Sequence, residues 1–225
     1  MKNKVIMSGQ ALPVSEFEYK GHKFVEMKLS IKRLSGTIDS IPVLCPKTLI
    51  PEILSIDTTL PDNTNRFPVY IEGEIRTRNV HVNNHGKLVI YVYATKLSID
   101  PNDIPEEDLN KVELEGTICK LPVYRITPNK VHITDIFIAV NNTHRSYYIP
   151  CIAFNKVAKA INKLNIGDVI TINSRFQSRS YNKKLDENVI EVRVAYEMSI
   201  TSFEKANNID STDEFDFDDI CIDID

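Results

Sequence analysis

The sequence predicts an all-β protein with short helices, in which one five-stranded plan occurs twice in tandem and an acidic segment follows. Three observations predict this class. Apolar residues recur with a period of two along much of the chain, an internal repeat relates its two halves, and positive and negative charges fall in separate segments. At 225 residues the chain can hold two domains of about 100 residues each.

The internal repeat relates residues 1–99, here called the first copy, to residues 110–203, the second copy. A repeat of this length indicates a duplicated domain rather than a solenoid. The matched positions are Asn3-Lys4-Val5 and Gly9 with Asn110-Lys111-Val112 and Gly116; Ile41-Pro42 with Ile149-Pro150; Ile71, Ile75, Thr77 and Arg78 with Ile172, Phe176, Ser178 and Arg179; and Leu97-Ser98-Ile99 with Met198-Ser199-Ile200.

Within each copy the predicted elements are mainly strands. Apolar and polar residues alternate in KFVEMKLSIK and YIEGEIRTR of the first copy and in VHITDIFIAV and VITINSRFQSRS of the second, so we predict five strands per copy. A helix is predicted at NKVAKAINKL (155–164), with Asn155 as its N-cap. In the first copy Pro51 interrupts the corresponding segment, and residues 58–65 are expected to form a loop. Three strands, a short helix and two strands are the plan of the OB-fold, a Greek-key barrel that binds oligonucleotides or oligosaccharides.

Charge divides the chain along similar boundaries. Residues 1–99 carry a net +4 and residues 110–203 carry +5, whereas residues 100–109 carry −5 and residues 204–225 carry −8. We therefore expect OB-fold domains at 1–99 and 110–203, an acidic linker at 100–109 and a disordered acidic tail at 204–225. Two basic modules within a chain of net charge −4 point to a polyanionic partner.

Composition and motifs argue against several other classes. The four cysteines form no C-x-x-C pair and do not cluster with histidines, so no metal site is expected. A signal peptide and an apolar run of roughly 18 residues are both missing, which favours a cytoplasmic, nucleoid-associated protein with reduced thiols. The sequence shows no paired carboxylates on one strand, phosphate-binding loop or nucleophile elbow, so we expect neither an enzyme nor a cofactor.

The second copy contains a series of residues in the order and near the spacing of a known family: Gly116, Pro122, Arg125, Thr127-Pro128, Ala139-Val140-Asn141, YIPCIAF (148–154), Gly167 and RFQSRSY (175–181). On these residues the second copy resembles the bacterial single-stranded DNA-binding proteins, and the chain as a whole resembles their two-domain variants. The first copy resembles the family only through its relation to the second, and Pro46 stands where Phe154, a family stacking position, would be. The resemblance implies sequence-independent binding of single-stranded DNA in replication, recombination or repair, by a homodimer that brings four OB modules together.

Candidate residues for binding single-stranded DNA combine cations, which bind phosphates, with rings that stack on bases. In the second copy they are Tyr124, Arg125, Tyr147, Phe154, Lys156, Arg175, Gln177, Arg179, Tyr181 and Lys183. In the first copy they are Lys28, Lys32, Arg33, Arg76 and Arg78, with Tyr19, Tyr91 and Tyr93 as possible stacking rings. Arg175, Gln177 and Arg179 alternate along one strand and are expected to point outward. The sequence leaves two alternatives open: Phe154 packs in the core, or the alternating row is an ordinary solvated surface.

The segment STDEFDFDDICIDID (211–225) alternates carboxylates with large apolar residues. Family members end in an acidic segment that docks into basic, apolar-floored grooves of replication and repair enzymes. The resemblance therefore implies a partner-docking tail, although the usual terminal Pro-Phe is missing. A solubilising end, or a tail that occupies the protein's own basic grooves, would have the same composition. The expected docking residues are Phe215, Phe217, Asp218, Asp219 and Ile220.

A second functional hypothesis is a primosome-type adaptor, in which an OB module contacts a helicase and protein contacts dominate. The aromatic residues distinguish the two hypotheses. An adaptor would tolerate the loss of Phe154, whereas a protein that coats single-stranded DNA would not.

Overall fold

The computed structural model describes residues 1–51, 66–82, 85–142, 145–186 and 189–206. Strands dominate this part of the chain, as the period of two predicts. The elements of the first copy are β1 (Asn3–Tyr19), β2 (His22–Lys32), β3 (Ile38–Pro46), a 3-10 turn (Lys47–Leu49), β4 (Phe67–Val82) and β5 (His85–Ser98). Those of the second copy are β6 (Asn110–Ile118), β7 (Val123–Ile126), β8 (His132–Asn142), β9 (Arg145–Phe154), α1 (Asn155–Ile161), β10 (Val169–Asp186) and β11 (Val189–Lys205).

Each copy closes a ring of five hydrogen-bonded strands. The first ring runs β1, β2, β3, β5, β4 and back to β1. The second runs β6, β8, β9, β11, β10 and back to β6, and β7 pairs with β8 outside the ring. The predicted fold class, an all-β chain of tandem OB barrels with short helices, is confirmed. β11 continues to Lys205, and residues 207–225 of the predicted tail lie outside the described residues.

The repeat is visible in matching hydrogen bonds at the start of each copy. The side-chain amide of Asn3 donates to the carbonyl of Ile75 (2.8 Å), and its oxygen accepts from the N–H of Ile75 (2.8 Å). Asn110 makes the same two bonds with Phe176, at 2.8 and 2.9 Å. These two pairs are the ones that the sequence repeat matches, so each Asn fixes the register between the first and fourth strands of its ring.

The glycines of the repeat mark a close approach of two strands. A Cβ atom on Gly9 would lie 2.3 Å from the carbonyl oxygen of Ser30, and one on Gly116 would lie 2.7 Å from that of Ala139. Both distances are too short for any side chain, so each position requires glycine unless the neighbouring backbone moves.

The end of the predicted repeat is wrong. Leu97 pairs with Ile71, but the residue that pairs with Ile172 is Phe203, whereas Met198 pairs with Phe176. The hairpin of β10 and β11 is longer than that of β4 and β5, so the short match of Leu97 with Met198 hid an insertion.

The predicted helix of the second copy exists but is shorter and capped differently. It spans Asn155–Ile161, with Phe154 at the N-cap and no side-chain capping bond. Asn155 has a φ of 51°, a left-handed conformation that Asn tolerates well. The backbone of Asn155 therefore makes the turn, and the expected cap by its side chain is wrong. The loop expected at 58–65 lies outside the described residues.

The two copies join through antiparallel pairing of their first strands. Val5 lies opposite Val112, and Asn3 and Met7 lie opposite Leu114 and Asn110. Because the two paired strands are the repeated ones, the copies are related by an approximate two-fold axis. Two further contacts flank this pairing, β3 against β10 and β4 against β9. We call them the β3–β10 seam and the β4–β9 seam.

The thiols within the described residues are free, and most of their surface is buried. Burial raises the pKa of Cys45 to about 12 and holds the pKa of Cys151 well above its ordinary value. Both side chains are therefore protonated at neutral pH and pack as small apolar groups. No helix within the described ranges is long and apolar enough to cross a membrane.

Candidate nucleic-acid interface

The outer surface of β8 and β9 carries three half-buried rings. Along β9, Tyr148 and Phe154 alternate with buried residues, and on β8 Phe137 is half-buried between buried neighbours. Phe137 lies opposite Pro150, which is on the same face of β9 as Tyr148 and Phe154. All three rings therefore point away from the barrel interior.

Cations border these rings. Lys120 Nζ lies 5.2 Å from the centre of the Phe137 ring. Lys156 is exposed two residues after Phe154. Arg125 is exposed on β7 and forms an ion pair with Asp135 of β8. We call this surface the second-copy face, and its members are Lys120, Arg125, Phe137, Tyr148, Phe154 and Lys156.

The placement of Phe154 favours a surface role over core packing. Its ring is half-buried, and its extended backbone leads from β9 into α1. The half-buried apolar residues that pack on the core of the described structure are Leu49, Phe67, Leu97, Val157, Leu164, Tyr196 and Phe203, and Phe154 is not among them.

Two tyrosines predicted to stack on bases have ring partners within the protein, Tyr147 in the interior and Tyr124 half-buried on β7. Tyr147 is only 2% exposed, and the guanidinium of Arg145 lies 4.9 Å from its ring centre and donates to its hydroxyl (3.0 Å). Tyr124 stacks on His132 at 5.8 Å and is hydrogen-bonded to it. The expectation of an open ring at Tyr147 is therefore wrong, because the strand turns Tyr147 inward and Tyr148 outward.

The first copy presents arginines against tyrosines on β4 and β5. Arg76 Cζ lies 3.5 Å from the centre of the Tyr93 ring, and its Nε donates to Glu74 (2.7 Å). Arg78 Cζ lies 5.8 Å from the Tyr91 ring, and its guanidinium pairs with Glu26 at 3.7 Å.

Arg78 and Tyr91 border a groove with a volume of about 160 Å³, whose lining also includes Lys28, Pro42 and Leu44. The first-copy face is defined as Lys28, Arg76, Arg78, Tyr91 and Tyr93. The other first-copy candidates, Tyr19 and Lys32, are exposed at the ends of β1 and β2, outside this face.

Arg33 has a structural role at the β3–β10 seam. It donates to the fully buried carboxylate of Asp39 through Nε (2.7 Å) and Nη2 (2.5 Å), and this bonding raises the pKa of Arg33. The same carboxylate accepts from the backbone N–H of Ser178 (2.8 Å), and Ser178 Oγ accepts from the N–H of Ser40 (2.9 Å). Arg33 is therefore engaged between the copies, which contradicts its expected exposure for phosphate binding.

The expected outward row on β10 is only partly present. Gln177 is 4% exposed and donates to Glu197 on β11 (2.8 Å), so its predicted outward position is wrong. Arg175 is half-buried and donates to Gln177 (3.2 Å); burial lowers the pKa of Arg175, and Arg33 acts in the same direction. Arg179 is exposed and pairs with Glu197 at 3.4 Å.

Further along β10, Tyr181 is exposed, with Arg179 Cζ 5.8 Å from its ring centre. Lys183 lies on β10, but its side chain is outside the described residues. The predicted docking residues also lie outside the described residues; they are Phe215, Phe217, Asp218, Asp219 and Ile220. Within the described chain no three metal-ligating side chains come together.

Four surface residues near the candidate interface were not predicted from the sequence: Lys120, Phe137, Arg145 and Tyr148. Strict alternation could have found two of them. In YYIPCIAF the apolar residues Ile149 and Cys151 must face inward, and this places Tyr148 on the outer surface. In HITDIFIAV the same reasoning places Phe137 outward. Lys120 and Arg145 offer no such signal, because Lys120 lies between β6 and β7 and Arg145 is the first residue of β9.

Comparison with known proteins agrees with this geometry. The sequence model of the Single-strand binding protein family matches residues 109–204. Single-stranded DNA-binding protein 1 of Staphylococcus aureus strain COL is 35% identical over 81 residues, which are 32% of this chain and 48% of the relative. Single-stranded DNA-binding protein 2 of the same strain is 32% identical over 108 residues, which are 44% of this chain and 77% of the relative. The chain thus spans about half the length of the first of these relatives and most of the second.

Structural comparison extends the likeness to both copies. The wild-type single-stranded DNA binding protein from Thermus aquaticus superposes with a TM-score of 0.69 at 17% identity, covering 95% of this chain and 97% of that one. At this identity the likeness shows the fold alone. The family is shown by the sequence relatives, one of which is 32% identical with 77% of its length covered: the chain belongs to the single-strand binding protein family.

Proposed function

We propose that this chain binds single-stranded DNA without sequence preference, through the first-copy and second-copy faces, in replication, recombination or repair. The observation that carries the proposal is the second-copy face, where Phe137, Tyr148 and Phe154 point outward from an OB barrel beside Lys120 and Lys156. The names of its relatives, single-stranded DNA-binding proteins, support the same function.

The chemistry of the two faces suits a partner with a charged backbone and exposed bases. Every base has a π-face, so stacking on Tyr or Phe tolerates any sequence. The arginines and lysines between the rings bind phosphates, which are the same in every nucleotide.

The first prediction concerns strand preference and salt. The protein should bind oligo-dT much more tightly than duplex DNA of equal length, because paired bases cannot stack on the outward rings. Affinity should fall as salt rises, with a logarithmic slope of about −0.7 per phosphate contact on a single strand. Fluorescence anisotropy at several salt concentrations measures both effects. Equal binding of duplex and single strand, or a flat salt response, would refute the proposed function.

We also propose that the acidic segment at 204–225 recruits partner enzymes and that the protein is a homodimer with four OB modules. The alternation of Phe215, Phe217 and Ile220 with carboxylates supports the first proposal, since a groove with an apolar floor and a basic rim complements both. The second rests on the family resemblance and on the tandem rings of strands, because the four-module assembly that the resemblance implies requires two such chains.

Deleting residues 211–225 should leave binding of single-stranded DNA unchanged or tighter, because fifteen residues rich in carboxylates are removed. Recruitment of partner enzymes from a host extract should be lost. The matched control is the double change Phe215→Ala/Phe217→Ala, which keeps every charge and should lose the same partners. If the full-length, truncated and doubly substituted proteins capture the same partners, the segment only aids solubility.

A further inference from the structure

The two copies carry their surface rings at different positions of the same fold. Strand register defines the matching positions. Leu44 of β3 lies opposite Tyr93, and Ile152 of β9 lies opposite Ser199, so Tyr93 matches Ser199. Two residues earlier, Tyr91 matches Glu197. The rings on the long hairpin of the first copy are thus replaced by an acid and a serine in the second.

The opposite holds on the other part of each barrel. Phe137 and Lys28 lie opposite equivalent prolines, Pro150 and Pro42, so they match each other. By the same register Tyr148 matches Ser40, and Phe154 matches Pro46. The rings of β8 and β9 in the second copy are therefore missing from β2 and β3 of the first.

Because of this difference between the copies, the surface rings of both copies lie beside the β4–β9 seam. β4, whose hairpin with β5 carries Tyr91 and Tyr93, packs against β9 at the β4–β9 seam, and β9 carries Tyr148 and Phe154. The β3–β10 seam has Ser40, Glu197 and Ser199 at the matching places. Other rings lie further away. Tyr181 is three residues beyond Ser178 on β10, and Phe17 stacks on Phe24 at 5.7 Å near the β1–β2 turn.

Positive charge also converges on the β4–β9 seam. Arg76, Arg78 and Arg145 all act on the pKa of Tyr91, opposing the rise that burial causes, so an arginine of the second copy lies within electrostatic range of the first-copy face. Arg145 is exposed and makes no ion pair within the described residues. Its matching position in the first copy is Thr37. At the β3–β10 seam, Arg33 is instead neutralised by buried Asp39.

We propose that a bound strand passes between the copies at the β4–β9 seam and not at the β3–β10 seam. The strand runs from Tyr93 and Tyr91, over Arg145, to Tyr148 and the second-copy face. Arg76, Arg78 and Arg145 contact its phosphates. The two faces then form one composite binding site. The approximate two-fold axis alone would instead predict two equivalent crossings, one at each seam. The inference rests on the proposed binding of single-stranded DNA and adds the path of the strand.

Arg78 and Arg179 provide a matched test, because they occupy equivalent positions on the two hairpins. Their side chains are 51% and 52% exposed, and each pairs with one glutamate, so substitution removes one exposed cation and one ion pair in either case. The full-length protein is titrated with labelled oligo-dT of about 32 nucleotides, twice the upper site size of one OB-fold. Arg78→Gln and Arg145→Gln should each weaken binding and reduce the salt slope by about 0.7. Arg179, which the sequence predicts to bind DNA, lies outside both faces, so Arg179→Gln should change neither quantity.

The outcomes separate the inference from the proposed function. If Arg179→Gln weakens binding as much as Arg78→Gln, the strand uses both seams and the inference fails while the function stands. If neither Arg78→Gln nor Arg145→Gln weakens binding by a protein that binds oligo-dT tightly, the path is also wrong. If the unsubstituted protein does not bind oligo-dT, the proposed function itself fails.

Discussion

Replacing Tyr148 and Phe154 together by alanine should nearly abolish binding of single-stranded DNA while leaving the fold intact. Each base stacked on a ring contributes about 1–3 kcal/mol, or roughly a 5- to 150-fold change in affinity. Both rings are half-buried on the outer surface of β9, and Phe154 is not among the half-buried residues that pack on the core. Their loss should therefore cost binding much more than stability.

The measurement combines an oligo-dT titration with a thermal melt followed by circular dichroism. Tyr19→Ala is the control, because Tyr19 is an exposed ring outside both faces, and it should bind normally. Loss of the melting transition in the double variant would mean that the rings support the core. Normal binding by a folded double variant would instead favour the adaptor hypothesis, in which protein contacts dominate.

Local sequence pattern was sufficient for the five strands of each ring and for most of the repeat, but it did not predict β7, the sixth strand of the second copy. Alternation identifies the strands because each has one face in a barrel core, and Asn3 and Asn110 recur because each fixes the same register. The greater length of the hairpin of β10 and β11 was not predictable from the three-residue match of Leu97-Ser98-Ile99 with Met198-Ser199-Ile200. An added length of β10 and β11 leaves the alternation unchanged, so it shows only in the pairing of Phe203 with Ile172.

The candidate site was harder to predict because its errors depend on contacts between distant segments. Gln177 alternates correctly with its neighbours but is covered, since Glu197 on β11 binds its amide. Arg33 looks like a free surface cation until Asp39 and Ser178 are seen to meet it between the copies. The choice of Tyr147 over Tyr148 is a different kind of error, because the alternation of β9 was enough to correct it.

The Arg33–Asp39–Ser178 network should be a main support of the junction between the copies. Asp39→Ala should destabilise the protein by about 3 kcal/mol, the lower end of the range for breaking a buried ion pair, because Arg33 retains 20% exposure. The change leaves the guanidinium without its partner and removes the acceptor of the Ser178 N–H. Urea unfolding measures the loss.

Two comparisons decide whether the burial of the Arg33–Asp39 ion pair causes the expected loss of stability. Lys2 Nζ and Glu113 Oε1 form a second ion pair between the copies at 2.8 Å, but this pair is exposed. Glu113→Ala removes it and should reduce stability far less than Asp39→Ala, because solvent screens the pair. The double change Arg33→Met/Asp39→Leu should recover part of the stability, since no charge is left unpaired. Binding of oligo-dT by the folded double variant should match that of the unsubstituted protein, because the proposed strand path avoids the β3–β10 seam. If Asp39→Ala and Glu113→Ala lower the free energy of unfolding equally, water reaches the β3–β10 seam. The proposal that the strand crosses only at the β4–β9 seam would then lose its structural basis.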